Sequence, residues 1–260
     1  MGAGYRLETK WSWGCCLLSP LAFLMLWGSE IIGGKEAKPH SRPYMAYLDI
    51  QVGNKKNICG GFLVSKDFVL TAAHCNGDEI MVYLGAHNIR TKEKSQQVIC
   101  AHRWMPHPKY NNKTFNNDIM LLKLLHRAKL NKWVKTIILP RDREGVEVGD
   151  ECSVAGWGQT STNNRLGSDT LQEVDMKVVP DAECQELTER YKSSTMLCAG
   201  DPEQRNKSSF QGDSGGPLVC EGTAQGIISF GHKNGTPPRV FTRVSTFIPW
   251  IQEMMRKLQP

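Results

Sequence analysis

The sequence predicts an all-β protein built as a sandwich or barrel, with few helices. Residues 80–84 and 174–178 alternate between apolar and polar side chains, which is the period-two pattern of a half-buried strand. Gly, Asn, Asp and Pro separate such segments at short intervals, which argues against crossover helices between parallel strands. The polar, turn-rich residues 139–150 place a boundary between two β units of similar size.

The other predicted elements follow in chain order. Further strands are predicted at residues 62–64, 68–71, 98–104, 153–155, 218–220, 226–230 and 240–244. A helix at 181–191 would place Cys184, Leu187 and Tyr191 on one face. An apolar stripe predicts a C-terminal helix at 246–258, with Thr246 as its N-cap and two basic residues in its last turn. Residues 118–124 fit either a helix or a strand.

The N-terminus has the layout of a secretory signal peptide. Residues 15–27 are uncharged and mostly apolar, whereas a membrane-spanning helix needs about 18 such residues or more. Basic residues precede the run and small residues follow it. We therefore interpret residues 1–28 as a signal peptide and expect no membrane span.

Composition excludes several classes of protein. The 260 residues are 40% apolar and 22% charged, with 24 Gly and 13 Pro, which does not fit collagen, a coiled coil or a disordered chain. The net charge of +6 suits acidic polymers such as sulfated glycans, although charge alone does not select a partner. We expect a monomer without a nucleic-acid partner.

Cysteine and histidine spacing argues against a metal site. Two of the nine cysteines lie in the predicted signal peptide, so seven remain in the exported chain and one is left unpaired. The chain has neither a C-x-x-C pair nor an H-E-x-x-H motif. His102 and His107 are separated by Pro106 and cannot share a helix face. We expect no metal and no cofactor.

A glycine-rich loop at residues 212–216 presents a serine. The glycines of Gly-Asp-Ser-Gly-Gly remove bulk around Ser214, so that its hydroxyl and nearby backbone N–H groups can face a substrate. The same pentapeptide fits the nucleophile elbow of α/β-hydrolases, but too few residues follow Ser214 for that fold. An activated serine needs a base and an orienting group. His74 and Asp118 are candidates, but the residues alone leave their roles open.

Seven stretches together resemble the chymotrypsin-like serine proteases, and among them the granzyme and mast-cell protease group. The stretches are IIGG at 31–34, PHSRPYM at 39–45, TAAHC at 71–75, NNDIMLLKL at 116–124, SVAGWG at 153–158, GDSGGPLVC at 212–220 and FIPWI at 247–251. They are spread over residues 31–260 in the family's order. The resemblance implies two six-stranded antiparallel β-barrels, at about 31–138 and about 150–245, and a C-terminal helix at 246–258.

The resemblance also implies roles for the candidate residues. His74 is the general base, Asp118 orients its imidazole, Ser214 is the nucleophile, and the N–H groups of Gly212 and Ser214 form the oxyanion hole. Residues 29–30 form an activation dipeptide, and the freed amine of Ile31 pairs with Asp213. The implied disulfides are Cys59–Cys75, Cys152–Cys220 and Cys184–Cys198, which leave Cys100 over.

The implied substrate pocket favours aspartate. Ser208 stands where trypsin-like pockets carry an acidic residue, so we do not expect cleavage after Lys or Arg. Ser229, Phe230 and Gly231 form the wall, and Arg239 falls on the arginine with which granzyme B recognises aspartate. The alternative is chymase-like cleavage after large apolar residues. Sequons at Asn112, Asn206 and Asn234 predict glycosylation, the last two beside the pocket.

Two non-enzymatic interpretations compete with a protease. One is a secreted homologue that binds glycans or microbes, but such relatives usually lose the serine or the histidine, and this chain keeps both. The other is a plain β-rich binding module, which does not account for the GDSGG loop. The family implies protein or peptide substrates, secretion or storage in leukocyte granules, and binding to an acidic proteoglycan.

Overall fold

A computed structural model describes residues 33–161, 164–200, 208–209 and 211–258. The predicted signal peptide, the activation dipeptide, Ile31 and the sequon residue Asn206 lie outside these ranges. The first seven strands are β1 (Lys35–Glu36), β2 (Met45–Val52), β3 (Lys55–Ser65), β4 (Phe68–Thr71), β5 (Glu79–Leu84), β6 (Gln97–Pro106) and β7 (Met120–Leu124). The remaining strands are β8 (Glu151–Gly156), β9 (Gln159–Ser161), β10 (Asn164–Gly167), β11 (Gln172–Val178), β12 (Met196–Gly200), β13 (Pro217–Cys220), β14 (Thr223–Gly231) and β15 (Arg239–Arg243).

The first barrel is closed by six antiparallel strands in the order β2-β3-β4-β7-β6-β5. Period-two alternation directs one set of side chains inward on each strand. On β5, for example, Ile80, Val82 and Leu84 are fully buried, whereas Met81 and Tyr83 between them are partly exposed. Closure pairs every strand on both sides and leaves no open edge.

The second barrel is also closed and antiparallel. Its strands follow the order β11-β12-β15-β14-β13-β8, and β8 pairs again with β11. The short strand β1 adds to β11, with Lys35 opposite Glu173. The N-terminal segment therefore crosses to the second barrel before the chain builds the first. The expected fold of two six-stranded barrels is confirmed.

Within residues 118–124, which fitted either a helix or a strand, Met120–Leu124 form the strand β7, and Asp118 and Ile119 precede it. Leu121 and Leu122 are both fully buried, because one face of β7 points into the barrel and the other is covered. That covering is supplied by the C-terminal helix, α2 (Ile248–Leu258), whose Ile248 and Ile251 belong to the same buried cluster. A run buried on both faces shows no alternation, so periodicity could not identify it.

Both predicted helices form, with different bounds. The first, α1, covers Asp181–Leu187 and ends four residues early, because Thr188 is extended and donates its N–H to the carbonyl of Cys184. The second is preceded by a 3₁₀ turn at Val244–Phe247. Thr246 lies inside this turn and donates to the carbonyl of Ser194, so it is not the N-cap that the sequence predicts.

Three disulfides crosslink the described residues. They are Cys59–Cys75, Cys152–Cys220 and Cys184–Cys198, the pairs that the resemblance implies, and Cys100 is a free thiol. Across the described part of the chain, neither helix has the length and apolar character that crossing a membrane requires.

Candidate active site

The pairing of β4 with β7 brings His74 and Asp118 together. Thr71 stands opposite Met120 in this antiparallel pair, so the chain after β4 and the chain before β7 lie at the same end of the barrel. His74 follows in the 3₁₀ turn Ala73–Cys75. Its Nδ1 lies 2.7 Å from Oδ2 of Asp118, and its backbone N–H donates to Oδ1 at 3.0 Å. Both bonds fix the position of the imidazole relative to the carboxylate.

Asp118 is fully buried and receives two further hydrogen bonds from the second barrel. The hydroxyl of Ser229 on β14 donates to Oδ2 at 2.5 Å, and Thr242 on β15 donates to the backbone carbonyl of Asp118 at 2.7 Å. A buried carboxylate is stable only when its oxygens are satisfied by such donors. The sequence placed Ser229 in the pocket wall, and the structure adds this contact with Asp118.

The loop of residues 212–216 is shaped by two glycines that no other residue could replace without strain. Gly212 has φ of +100°, and a Cβ there would lie 2.7 Å from the Cα of Gly158. Gly215 has φ of +83°, and its Cβ would lie 2.1 Å from Oγ1 of Thr71 in the first barrel. Both values lie in the left-handed region that favours glycine. The loop can therefore press directly against the first barrel.

Two backbone contacts hold Ser214 and its neighbour in this loop. The N–H of Gly60 on β3 donates to the carbonyl of Ser214 at 2.7 Å. Asp213 is fully buried, and its Oδ1 accepts the N–H of Gly158 at 2.8 Å. Among the described residues, the N–H groups of Gly212 and Ser214 donate to no protein acceptor, which leaves both available to a substrate oxygen.

His74 and Ser214 line two adjoining cavities. The first, of about 390 Å³, extends past Ile58, Gln159 and Gly212. The second, of about 340 Å³, is lined by Ser229, Phe230, Gly231 and Arg239, which are four of the five predicted pocket residues. Ser208, the fifth, is not among the residues that line this cavity. A chain bound across both cavities would pass over both the imidazole and the hydroxyl.

Arg239 is the principal charge in the second cavity. Its side chain lies against Gly231, where a Cβ would come within 2.7 Å of the guanidinium. Arg239 is only 7% exposed, and its Nη1 donates to the carbonyl of His232 at 2.9 Å. Its Nε is buried and has no hydrogen-bond partner in the part of the chain that the structure describes. Burial lowers the pKa of this guanidinium to about 10, and the charge of Asp213 partly offsets the effect. Within the described residues Arg239 forms no ion pair.

Ser208 adds no charge to this region. It is fully buried, and its hydroxyl donates to the carbonyl of Ser209 at 3.0 Å. A cluster of possible metal ligands also occurs beside the site, formed by Cys59, His74 and Cys75. The two sulfur atoms are joined in a disulfide, so they do not offer the thiolates that a metal such as Zn²⁺ would bind.

Several residues of the site were not predicted from the sequence, among them Phe115, Lys233 and Thr242. Phe115 places its ring 5.7 Å from the ring of His74 and 5.5 Å from that of Phe230. Lys233 lines the second cavity beside Arg239. Thr242 holds the backbone of Asp118. The only signal for Phe115 was its position three residues before Asp118, which does not indicate where the ring points.

Comparison with known proteins agrees with this geometry. The family model described as Trypsin matches residues 31–251. Human cathepsin G is 52% identical over 246 residues, which are 94% of this chain and 95% of that protein. Mouse granzyme B(G,H) is 54% identical over 228 residues, 87% of this chain and 92% of that protein. The solved structure of GrC, granzyme C, has 49% sequence identity and a TM-score of 0.83, covering 87% of this chain and 100% of that chain. The chain therefore belongs to the trypsin family of serine proteases, in the group of the granzymes, cathepsin G and the mast cell proteases, and it is a serine endopeptidase.

Proposed function

We propose that this endopeptidase cleaves peptide bonds after aspartate, through an acyl-enzyme formed on Ser214. The observation that carries the proposal is Arg239, a buried cation without an ion-pair partner among the described residues, in the cavity next to Ser214. A guanidinium in such a cavity can hold a carboxylate with two parallel hydrogen bonds. An apolar guest would leave the buried charge unpaired, which disfavours chymase-like cleavage.

The chemistry begins with a proton transfer. Asp118 accepts the Nδ1 proton of His74 at 2.7 Å, so the lone pair of the neutral imidazole is on Nε2. Oγ of Ser214 attacks the carbonyl carbon while Nε2 takes its proton. The N–H groups of Gly212 and Ser214 stabilise the oxyanion, at about 3–4 kcal/mol for each donor. The C–N bond then breaks as His74 gives the proton to the leaving amine.

Water completes the cycle. His74 removes a proton from a water molecule, the resulting hydroxide attacks the acyl carbon, and Ser214 leaves with the proton that His74 returns. We propose that this cycle starts only after the chain is cut before Ile31. The new amine would pair with Asp213, which lies beside Gly158 at the base of the oxyanion loop.

Localisation and partners follow from the same assignment. We propose secretion through the signal peptide at residues 1–28, storage in leukocyte granules, and retention there by an acidic proteoglycan. The net charge of +6 supports the last point, because a positive surface attracts sulfated polymers. We expect the enzyme to act as a monomer on protein or peptide substrates.

Peptides that differ only in the residue before the scissile bond test the specificity. Protein beginning at Ile31 is assayed with Asp, Glu, Leu, Phe and Lys at that residue, and protein that retains residues 29–30 is the inactive control. We expect kcat/KM for Asp to exceed that for Leu and Phe by about 10- to 100-fold, the value of one or two charged hydrogen bonds. Titration with a fluorophosphonate, which labels an activated serine, gives the active fraction in each sample.

Variants of Arg239 complete the test. Arg239→Gln should lose the preference for Asp while its fluorophosphonate labelling continues, and Arg239→Lys should keep part of it, because a lysine retains the charge but not the planar pair of donors. A wild-type preference for Phe or Leu over Asp would reject the proposal.

A further inference from the structure

The loop between β6 and β7 forms a compact turn. Asn111 and Asn116 form an isolated bridge, and the N–H of Phe115 donates to the carbonyl of Asn111 at 2.7 Å. The side chain of Asn111 accepts the N–H groups of Lys113 and Thr114, at 2.9 and 3.1 Å. These hydrogen bonds close the turn on itself. The backbone position at which a group can be attached to this loop is therefore well defined.

This turn reaches the catalytic cleft through Phe115. The φ of +58° at this residue, which is unusual for an aromatic side chain, turns its ring onto His74 at 5.7 Å. The same ring contacts Phe230 at 5.5 Å and lines the cavity of Arg239. Across the loop, Thr195 of the second barrel donates to Oδ1 of Asn116 at 2.6 Å. The loop is therefore a wall of the cleft that is attached to both barrels.

The loop also carries the sequon Asn112-Lys113-Thr114. Asn112 is exposed, and among the described residues its side-chain amide makes no hydrogen bond, so the acceptor nitrogen is accessible. Phe115 is the third residue after Asn112, so their Cα atoms lie within about 11 Å of each other.

We propose that an N-linked glycan on Asn112 stands at the rim of the cleft and limits which substrates reach it. The inference rests on the proposed function and on passage through the secretory pathway. A glycan is bulky and solvated, and from Asn112 it covers the approach to the wall formed by Phe115. An extended peptide needs only the cleft itself, whereas a folded protein must bring a broad surface against the rim. The glycan would therefore select exposed, extended segments over compact substrates.

The test compares wild-type protein with Asn112→Gln, both produced in a glycosylating host and activated at Ile31. Glutamine keeps the amide and removes the sequon. Thr114→Ser is the matched control, since it changes the same loop, keeps the sequon and retains the hydroxyl that accepts the N–H of Asn116. Mass spectrometry gives the occupancy of each sequon. Kinetics are measured with a short peptide, a folded protein substrate and a fluorophosphonate.

We expect occupancy at Asn112 in wild type and in Thr114→Ser. For Asn112→Gln, kcat/KM on the folded substrate should rise about threefold or more, because steric restriction of docking acts on the association rate. Rates with the short peptide and the fluorophosphonate should not change. An unoccupied Asn112, or equal kinetics on the folded substrate despite occupancy, would overturn the inference. Loss of fluorophosphonate labelling in every form would instead count against the proposed function.

Discussion

Asp118 depends on residues that are far apart in the sequence. Two of its hydrogen bonds come from His74, 44 residues before it, and a third from Ser229, 111 residues after it. The resemblance to the chymotrypsin-like proteases was sufficient to propose His74 and Asp118 as partners. It could not show that Ser229 donates to the carboxylate, because the direction of a serine hydroxyl is set by its rotamer and surroundings rather than by its place in a motif.

The proposed preference for Asp depends on the positive charge of Arg239 and should therefore be lost at high pH. Burial lowers the pKa of its guanidinium to about 10, so the charged form dominates at neutral pH and is lost as the pH rises through that value. We expect the ratio of kcat/KM for Asp and Leu peptides to be constant from about pH 7 to pH 9 and to fall above that. Measuring a ratio cancels the effect of pH on the catalytic residues themselves.

Two outcomes distinguish this explanation from a general loss of enzyme. If the protein simply unfolds at alkaline pH, both rates decline together and the ratio stays level. If the ratio is the same at pH 8 and pH 10.5 while the Leu peptide is still cleaved, the guanidinium does not titrate there and the prediction is wrong.

At the scale of elements, His107 links the first barrel to the C-terminal helix. It directly follows β6, and its ring lies 5.2 Å from that of Phe247 and 5.1 Å from that of Trp250. Burial lowers the pKa of His107, and the charge of Lys109 adds to the effect. The helix is therefore docked against an imidazole whose neutral form is favoured by its surroundings.

This environment predicts that acid weakens the docking. The unfolded chain takes up a proton at the ordinary histidine pKa of about 6.5, and the folded chain does so at lower pH. Stability is thus greatest above about pH 6.5 and falls as the pH drops toward the folded pKa. We expect His107→Phe, which keeps an aromatic ring, to lose less Tm between pH 7 and pH 5 than wild type does.

His126 supplies the control for this experiment. It is exposed on the segment after β7, so His126→Gln should show the same dependence of Tm on pH as wild type. An equal loss of Tm in His107→Phe and in wild type would show that protonation of His107 does not oppose folding.

Sequence patterns predicted the elements well where one face meets solvent. Strands such as β5 and β11 alternate and were recognised, whereas β7 is covered on both faces and has no period to detect. The contacts of α1 were also predicted, since Cys184 and Tyr191 share a buried cluster. Its end was not, because Tyr191 reaches that cluster from a turn after the helix rather than from a continuation of the helix itself.

At the scale of the whole molecule, the sequence gives the two barrels but not the way in which they meet. Short strands and the matching motifs were sufficient to predict both units. Part of the contact between them depends on close approach of the backbone: Gly60 of the first barrel donates to the carbonyl of Ser214, and Gly215 approaches Thr71. Backbone contacts between segments more than 100 residues apart produce no periodic pattern in a single sequence. The sequence indicates such a contact only by the glycine that permits the close approach.

Gly60 should therefore control catalysis through the spacing of the barrels. A Cβ at this position would lie 3.1 Å from both N and Cα of Gly216 and 3.3 Å from the carbonyl oxygen of Asp213, all of them backbone atoms that cannot rotate away. We expect Gly60→Ala to destabilise the fold by about 1–3 kcal/mol, the usual effect of overpacking. It should also displace Ser214 from His74, so that kcat on a peptide substrate falls by more than about tenfold.

Gly145→Ala is the matched substitution, because nothing lies within 4 Å of the Cβ that it adds. It should leave both the free energy of unfolding and kcat unchanged. The comparison therefore separates the effect of crowding the contact between the barrels from the effect of replacing a glycine by alanine. Denaturant unfolding gives the free energy of unfolding, and peptide kinetics normalised to fluorophosphonate-labelled enzyme give kcat.

A Gly60→Ala protein with wild-type kcat would mean that the barrels can separate by several tenths of an ångström without disturbing the site. In that case the two halves would position Ser214 and His74 independently of their direct contact, and the reason for a glycine at position 60 would have to be sought within the first barrel, where Leu70 and Val69 pack beside its neighbour Gly61.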